Sequence, residues 1–167
     1  MKVKKQNGDV LTIALIFVGI SIVIFTFVIA VFMSHINSIL YNLKLDMYSM
    51  NRSAMIAVNK YNTSVDKFSY NYSAYKNEFV NLLKSNYELD ENLSNDKKLI
   101  TSIEILDYTI YQKGAVDSYT QKACDARVIH TVLKVKIKPI ILKNLLENIF
   151  VFTVHEDVAL NSMKTER

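Results

Sequence analysis

Cysteine and proline each occur once in the 167 residues, and glycine only three times. The single cysteine, Cys124, excludes an internal disulfide, so the fold must hold by packing. No metal- or nucleophile-type companions accompany Cys124, which reads as a small apolar residue near a strand. Three glycines leave no phosphate-cradling loop, and no serine or cysteine sits in a nucleophile motif. The net charge of +4 is not gathered into a block, which gives no basis for nucleic-acid binding. His35, His130 and His155 lack ligand-spaced neighbours in sequence. His130 and His155 can lie on neighbouring strands, where a metal site is conceivable, but the expectation is a pair of surface strand histidines. In the polar stretch 90–98, Asp90, Glu91, Asn92 and Asp96 lack the spacing and the glycine of a calcium-binding loop. No catalytic, cofactor-binding or metal-ligating residue is therefore assigned, and neither an enzyme nor a cofactor is expected.

What the chain does have is a run from Val10 to Met33 without a charge. Roughly 20 apolar helical residues suffice to cross a bilayer. A secretory leader has a shorter core, roughly 7–15 residues, and ends in a small-x-small cleavage site, which AVFMSHINS does not offer. The run is therefore read as a retained transmembrane helix. Lys2, Lys4 and Lys5 precede it, and basic flanks stay on the cytoplasmic side. The expected topology is a single pass through the cytoplasmic membrane, with everything after the run outside.

The helical pattern does not stop at Met33. Ile36, Leu40, Leu43, Met47, Met50, Ala54, Ala57 and Tyr61 recur in alternating steps of four and three, with no Gly or Pro between them. One register of this packing seam passes through Thr12, Gly19, Thr26 and Met33, then Leu40, Met47, Ala54 and Tyr61. Small residues along its first half would let helices approach closely in lipid. The expected organisation is a basic cytoplasmic leader (1–8), a transmembrane helix (9–34), its extracytoplasmic continuation (35–68) and an α+β extracytoplasmic domain (69–167).

Within that domain, SYNYSAYK (69–76) reads as a break, and NEFVNLLKSNYEL as a second, shorter helix with Phe79, Leu82, Leu83 and Tyr87 on one face. Three strands come next. In the first, Ile103, Ile105 and Tyr111 are expected to share a face. In the second, Ile129, Leu133, Val135 and Ile137 alternate against His130, Lys134 and Lys136, a half-buried strand with one wet face. In the third, Phe150, Phe152, Val154 and Val158 alternate against Thr153, His155 and Asp157. ILKNLLEN, after Pro139, is expected to form a short helical turn. The fold class is α+β: a long N-terminal helix, a short second helix and a small antiparallel three-stranded sheet packed on the long helix.

A short basic leader, Lys5 and Gly8 at its end, an apolar helix starting at once, an amphipathic continuation and then a small sheet: this plan resembles type IV pilin-like proteins, and most of all the TadE-like minor pseudopilins of the bacterial tight-adherence pilus. The resemblance implies a leader ending KxxG or RG that a dedicated peptidase removes. Cleavage here would fall between Gly8 and Asp9. It also implies partners: membrane lipid, sister pilin or pseudopilin subunits, assembly machinery and further copies of the chain. The family usually carries a glutamate five residues after the cut, and Ile13 stands there instead. Either Asp9 substitutes for that carboxylate, or the leader is kept and Gly8 is a joint before the membrane. The implied function is a minor pilin or pseudopilin acting by assembly through its helix. The alternative is a permanently anchored, extracytoplasmic binding module of a membrane complex. A membrane-bound enzyme would require a metal at the His130/His155 region.

Overall fold

The computed structural model describes residues 3–61, 72–138 and 150–160, and within them the side chains of 10–58, 72–138 and 150–160. The chain is α+β: α1 (Val3–Tyr61), α2 (Tyr72–Tyr87), β1 (Ile100–Tyr111), β2 (Val128–Ile137) and β3 (Val151–Ala159). It divides into two compact units, Met1–Asn42 and Leu43–Arg167. The expected helical end at 62–68 and the turn expected for ILKNLLEN lie outside the described residues.

The first unit is the apolar part of α1. The helix begins at Val3 and runs through Gly8 and Asp9 without interruption. From Val10 to Met33 large apolar side chains are exposed on every side of it, among them Phe17 at 68%, Val23 at 68% and Phe27 at 68%. The stretch is long and apolar enough to cross a membrane. At about 1.5 Å per residue it covers about 36 Å, more than the hydrocarbon core. Its hydroxyls carry no unmet demand: Ser21 Oγ donates to the Phe17 carbonyl and Thr26 Oγ1 to that of Ile22, both at 2.8 Å. Such back-bonding lets a hydroxyl enter an apolar medium.

The second unit is built on the sheet. The strands run antiparallel in the order β1-β2-β3. Strand parity puts Ile129, Thr131 and Leu133 on one face of β2, with Tyr108 beside Thr131 and Val154 beside Leu133. This face receives the helices. Asn51 of α1 donates from Nδ2 to Thr131 Oγ1 at 3.0 Å, both side chains being fully buried. Leu43, Met47, Met50 and Ala54 are buried along the same side of α1. Two polar contacts fix its margins. Tyr87 donates its hydroxyl to Asp46 Oδ2 at 2.6 Å, and Lys44 pairs with Glu156 at 3.4 Å. Burial pushes the Tyr87 hydroxyl pKa upward, and the Asp46 carboxylate adds to it.

α2 starts at Tyr72, so most of the expected break is helical. The reason is an i, i+4, i+8 stripe, Tyr75, Phe79 and Leu83, which reaches one turn further back than the apolar run suggested. Leu82 and Tyr87 are half-buried. The helix ends with Glu88 at φ 52° and Leu89 N donating to the Lys84 carbonyl at 2.9 Å, a Schellman cap with Leu89 tucked in.

β1 carries register shifts between Ile100 and Ser102 and between Ile105 and Asp107. The second inserts Leu106 as an extra residue and reverses the parity of the rest of the strand. Ile103 and Ile105 therefore share the inner face with Tyr108 and Ile110, while Tyr111 passes to the outer face. That corrects the expectation that Tyr111 lies with Ile103 and Ile105.

Tyr108 sits between Tyr72 and Phe79, with ring centroids 6.0 and 5.2 Å away. Its hydroxyl has no hydrogen-bond partner among the described residues, and burial drives its pKa upward. Leaving a buried hydroxyl unpaired costs about 1–3 kcal/mol. Tyr108→Phe keeps the ring and removes that demand. The expected outcome is a chemical-denaturation midpoint at or above that of the parent, with an unchanged slope.

Candidate metal centre

Six consecutive residues of β2, Val128 to Leu133, are buried, so both faces of this end of the strand are covered. On the outer face the cover is the connection 112–127. It folds into a small hairpin, with Gly114 N donating to the Cys124 carbonyl and Cys124 N to the Ala115 carbonyl, both at 2.8 Å. Gly114 supplies the φ of +85° that this turn needs and that a side chain would resist. At the tip, Asp117 ties the turn to itself. Its Oδ1 accepts from the Tyr119 N–H at 2.6 Å and the Thr120 N–H at 3.1 Å, and its Oδ2 accepts from the Thr120 hydroxyl at 2.8 Å. The hairpin is pinned to the sheet by the Ser118 N–H donating to the Tyr111 hydroxyl at 3.3 Å and by Tyr119 stacking on His155 at 4.7 Å.

Beneath this cover, strand parity and pairing bring four chemistry-bearing side chains together. His130 of β2 pairs directly with Asp157 of β3, and His155 stands two residues before Asp157 on the same face. Asp117 comes down from the hairpin. Asp117 and His130 are fully buried, whereas the side chains of His155 and Asp157 are 15% and 30% exposed. His130 Nδ1 lies 2.9 Å from Asp157 Oδ1, 3.2 Å from His155 Nε2 and 3.5 Å from Asp117 Oδ1. His155 Nε2 lies 3.1 Å from Asp157 Oδ1 and 3.6 Å from Asp117 Oδ2. One donor atom from each of the four lies within 4.8 Å of every other.

The comparisons with protein-family models, curated proteins and solved structures find no match.

The surroundings are anionic. Asp107, on the outer face of β1, places Oδ2 3.7 Å from His130 Nε2, and that nitrogen has no hydrogen-bond partner among the described residues. Burial alone would raise the Asp117 pKa. The Thr120 hydroxyl, the two turn N–H groups and His130 outweigh it and hold the carboxyl down at about 2. The Cys124 thiol is pushed the other way, first by burial and then by Asp157, Asp117 and Asp125. It is thus held as a thiol, consistent with a packing residue. Two imidazole nitrogens and two carboxylates form a hard-to-borderline donor set, of the kind that takes divalent first-row metals.

Sequence reasoning placed His130 and His155 on neighbouring strands, which the structure shows. The expectation of a wet face at His130 is corrected: the hairpin 112–127 closes over that end, and only the Lys134–Lys136 end of the face stays open, where Lys134 pairs with Glu104 at 2.8 Å. Asp117 escaped sequence reasoning altogether, although the DSYT turn around it was there to be read.

The other residues singled out in the sequence fall elsewhere. Thr12, Gly19, Thr26 and Met33 are exposed along α1, and a methyl added at Gly19 would meet nothing within 4 Å. Leu40 is half-buried, Met47 and Ala54 are buried, and the side chains of Gly8, Asp9 and Tyr61 lie outside the described set. In the 90–98 loop Asp90 is occupied by its own turn: its carboxylate accepts from the N–H groups of Asn92 and Ser94 at 2.8 and 2.9 Å. Those bonds, the Ser94 N–H first, hold the Asp90 pKa below the usual carboxylate range. Glu91 pairs with Lys84.

Proposed function

We propose that the chain is a membrane-anchored structural subunit, a minor pilin or pseudopilin of a bacterial surface or secretion filament. It acts by assembly through its N-terminal helix. The observation that carries this reading is α1 from Val10 to Met33, apolar and exposed all round. A helix apolar on every side needs lipid or other helices around it. The helix is held in lipid with its N-terminus inside, then exchanges lipid for neighbouring helices, and the sheet-bearing unit faces outward. Gly19, Thr12 and Thr26 give that exchange a side where a second helix can come close.

The second reading, a permanently anchored binding module with no filament, is favoured by two observations. Ile13 stands where the pilin-like plan has a carboxylate, and α1 runs unbroken through Gly8. The two differ in whether the leader is lost. The test is the mass of the N-terminal peptide of the protein taken from its native membrane. A mature protein beginning at Asp9 supports filament entry, and an intact Met1–Gly8 segment overturns leader processing and leaves the anchored module.

A further inference from the structure

We propose that Asp117, His130, His155 and Asp157 bind one divalent first-row transition ion, Zn2+ in kind, which fastens the hairpin 112–127 to β2 and β3. The proposal does not depend on filament assembly.

The spacing of the donors is the first argument. Around a tetrahedral Zn2+ with bonds of about 2.0–2.1 Å, neighbouring donors stand about 3.3 Å apart. Five of the six pairings among these groups have a closest separation of 2.9 to 3.6 Å, with Asp117 offering Oδ1 to His130 and Oδ2 to His155, and one donor atom from each of the four fits within 4.8 Å. Hydrogen bonding alone satisfies this set poorly. The two imidazole nitrogens face each other at 3.2 Å and also face one carboxylate oxygen, Asp157 Oδ1, at 2.9 and 3.1 Å. If both nitrogens carry protons, both donate to the single oxygen Asp157 Oδ1 and the two N–H groups crowd each other at 3.2 Å. If only one does, a lone pair is left toward a carboxylate. A cation accepts all the lone pairs at once.

The second argument is the far side of His130. A ligating histidine commonly offers its other N–H to a carboxylate, which fixes the tautomer. His130 Nε2 is buried, has no hydrogen-bond partner among the described residues, and lies 3.7 Å from Asp107 Oδ2. Asp107 is itself held by the Thr109 hydroxyl, which donates to Oδ1 at 2.6 Å. With His130 Nδ1 on the metal, its proton sits on Nε2 and points to Asp107.

The third is charge. Asp107, Asp117 and Asp157 put three carboxylates around two imidazoles, in a place where Asp117 and His130 have lost all contact with water. Buried carboxylates need a counter-charge, and the ionisable groups that stand within 4 Å of these three are the two imidazoles themselves. Four protein donors also make a closed site, which is a structural rather than a catalytic coordination. In a chain with one cysteine, such a clip does what a disulfide cannot.

The test uses the full chain in detergent micelles, stripped with a chelator and titrated with Zn2+ against a competing chromophoric chelator. One ion per chain is expected to bind. Saturation at about a hundred times the dissociation constant should raise the thermal midpoint of the sheet unit by on the order of 10 °C. Asp157→Asn and His155→Ala should each weaken binding by at least ~100-fold, and Asp107→Asn, outside the ligand set, by roughly 10-fold. Because Asp157 is partly exposed and Asp→Asn keeps its shape, that variant reports binding even if His155→Ala fails to fold. Parent protein with native circular dichroism that takes up no stoichiometric Zn2+, Co2+ or Ni2+ overturns the site. So does uptake that Asp157→Asn leaves unchanged.

Discussion

Ile20→Arg combined with Ile24→Arg is expected to strip the chain from membranes. Both positions lie near the middle of the uncharged Val10–Met33 stretch and are exposed, at 51% and 57%, so neither change disturbs an internal contact. On an insertion scale an arginine at a helix centre costs about 2.5–3.5 kcal/mol, and the replaced isoleucine contributed about 0.3–0.6 in the other direction. Together the pair shifts the balance by about 6–8 kcal/mol, enough to cancel most of what the rest of the stretch supplies. The two charges also stand one turn apart on one side of the helix, where they repel. The measurement is the share of protein remaining in an alkaline-washed membrane pellet. It should fall from nearly all to a minor fraction, while Thr26→Leu leaves it unchanged. Retention of the double variant would mean that something other than this stretch holds the chain to the membrane.

Phe79→Ala is the second large effect, and it acts on the other unit. Phe79 is completely buried on α2, with its ring 5.2 Å from that of Tyr108 on β1. Truncating a buried phenylalanine costs about 3–5 kcal/mol, part for lost transfer and part for the cavity left behind. The whole unit is stabilised by only about 5–15 kcal/mol, as single domains are. Equilibrium urea unfolding in detergent should show a midpoint lowered by about a fifth or more with an unchanged slope. A loss under about 1.5 kcal/mol would show that the site collapses around the hole and that α2 is not clamped to the sheet through this ring. Phe152, half-buried on β3, is the contrast, and Phe152→Ala should cost far less.

The architecture was legible wherever a periodicity repeated. The alternating steps of four and three put Leu43, Met47, Met50 and Ala54 on one side of α1, and they are buried there. Alternation in β2 and β3 put Leu133, Val135 and Val154 inward for the same reason. What escaped was whatever breaks a period. The extra residue at Leu106 sends Tyr111 to the other face, and no single-residue preference announces a bulge. Tyrosine serves both surface and core, so Tyr75 gave no clear signal and the start of α2 read as a break. The histidine cluster was half legible. Strand parity brings His130 beside Asp157 and His155, but the residue that closes the set, Asp117, lies on a connection. Where a connection folds depends on backbone hydrogen bonds such as those of Gly114 and Cys124, which carry no hydrophobic pattern. For the same reason polar residues on the outer face read as wet ones.

The hydrogen bond from Asn51 to Thr131 joins residues 80 positions apart in the chain. At about 5–20 residues per second of synthesis, the Leu43–Ala54 part of α1 emerges roughly 4–16 s before the strand that will cover it. For that interval Leu43, Met47, Met50 and Ala54 form an uncovered greasy stripe open to other apolar surfaces. Asn51 sits in the middle of the stripe. Before β2 arrives, covering the stripe with any apolar surface would bury this amide unpaired, at a cost of about 1–3 kcal/mol. Once β2 arrives, the same amide finds one hydroxyl, that of Thr131, at the right depth. A polar residue in an otherwise oily seam thus sets a cost on every early covering of the stripe that the native pairing with Thr131 does not carry.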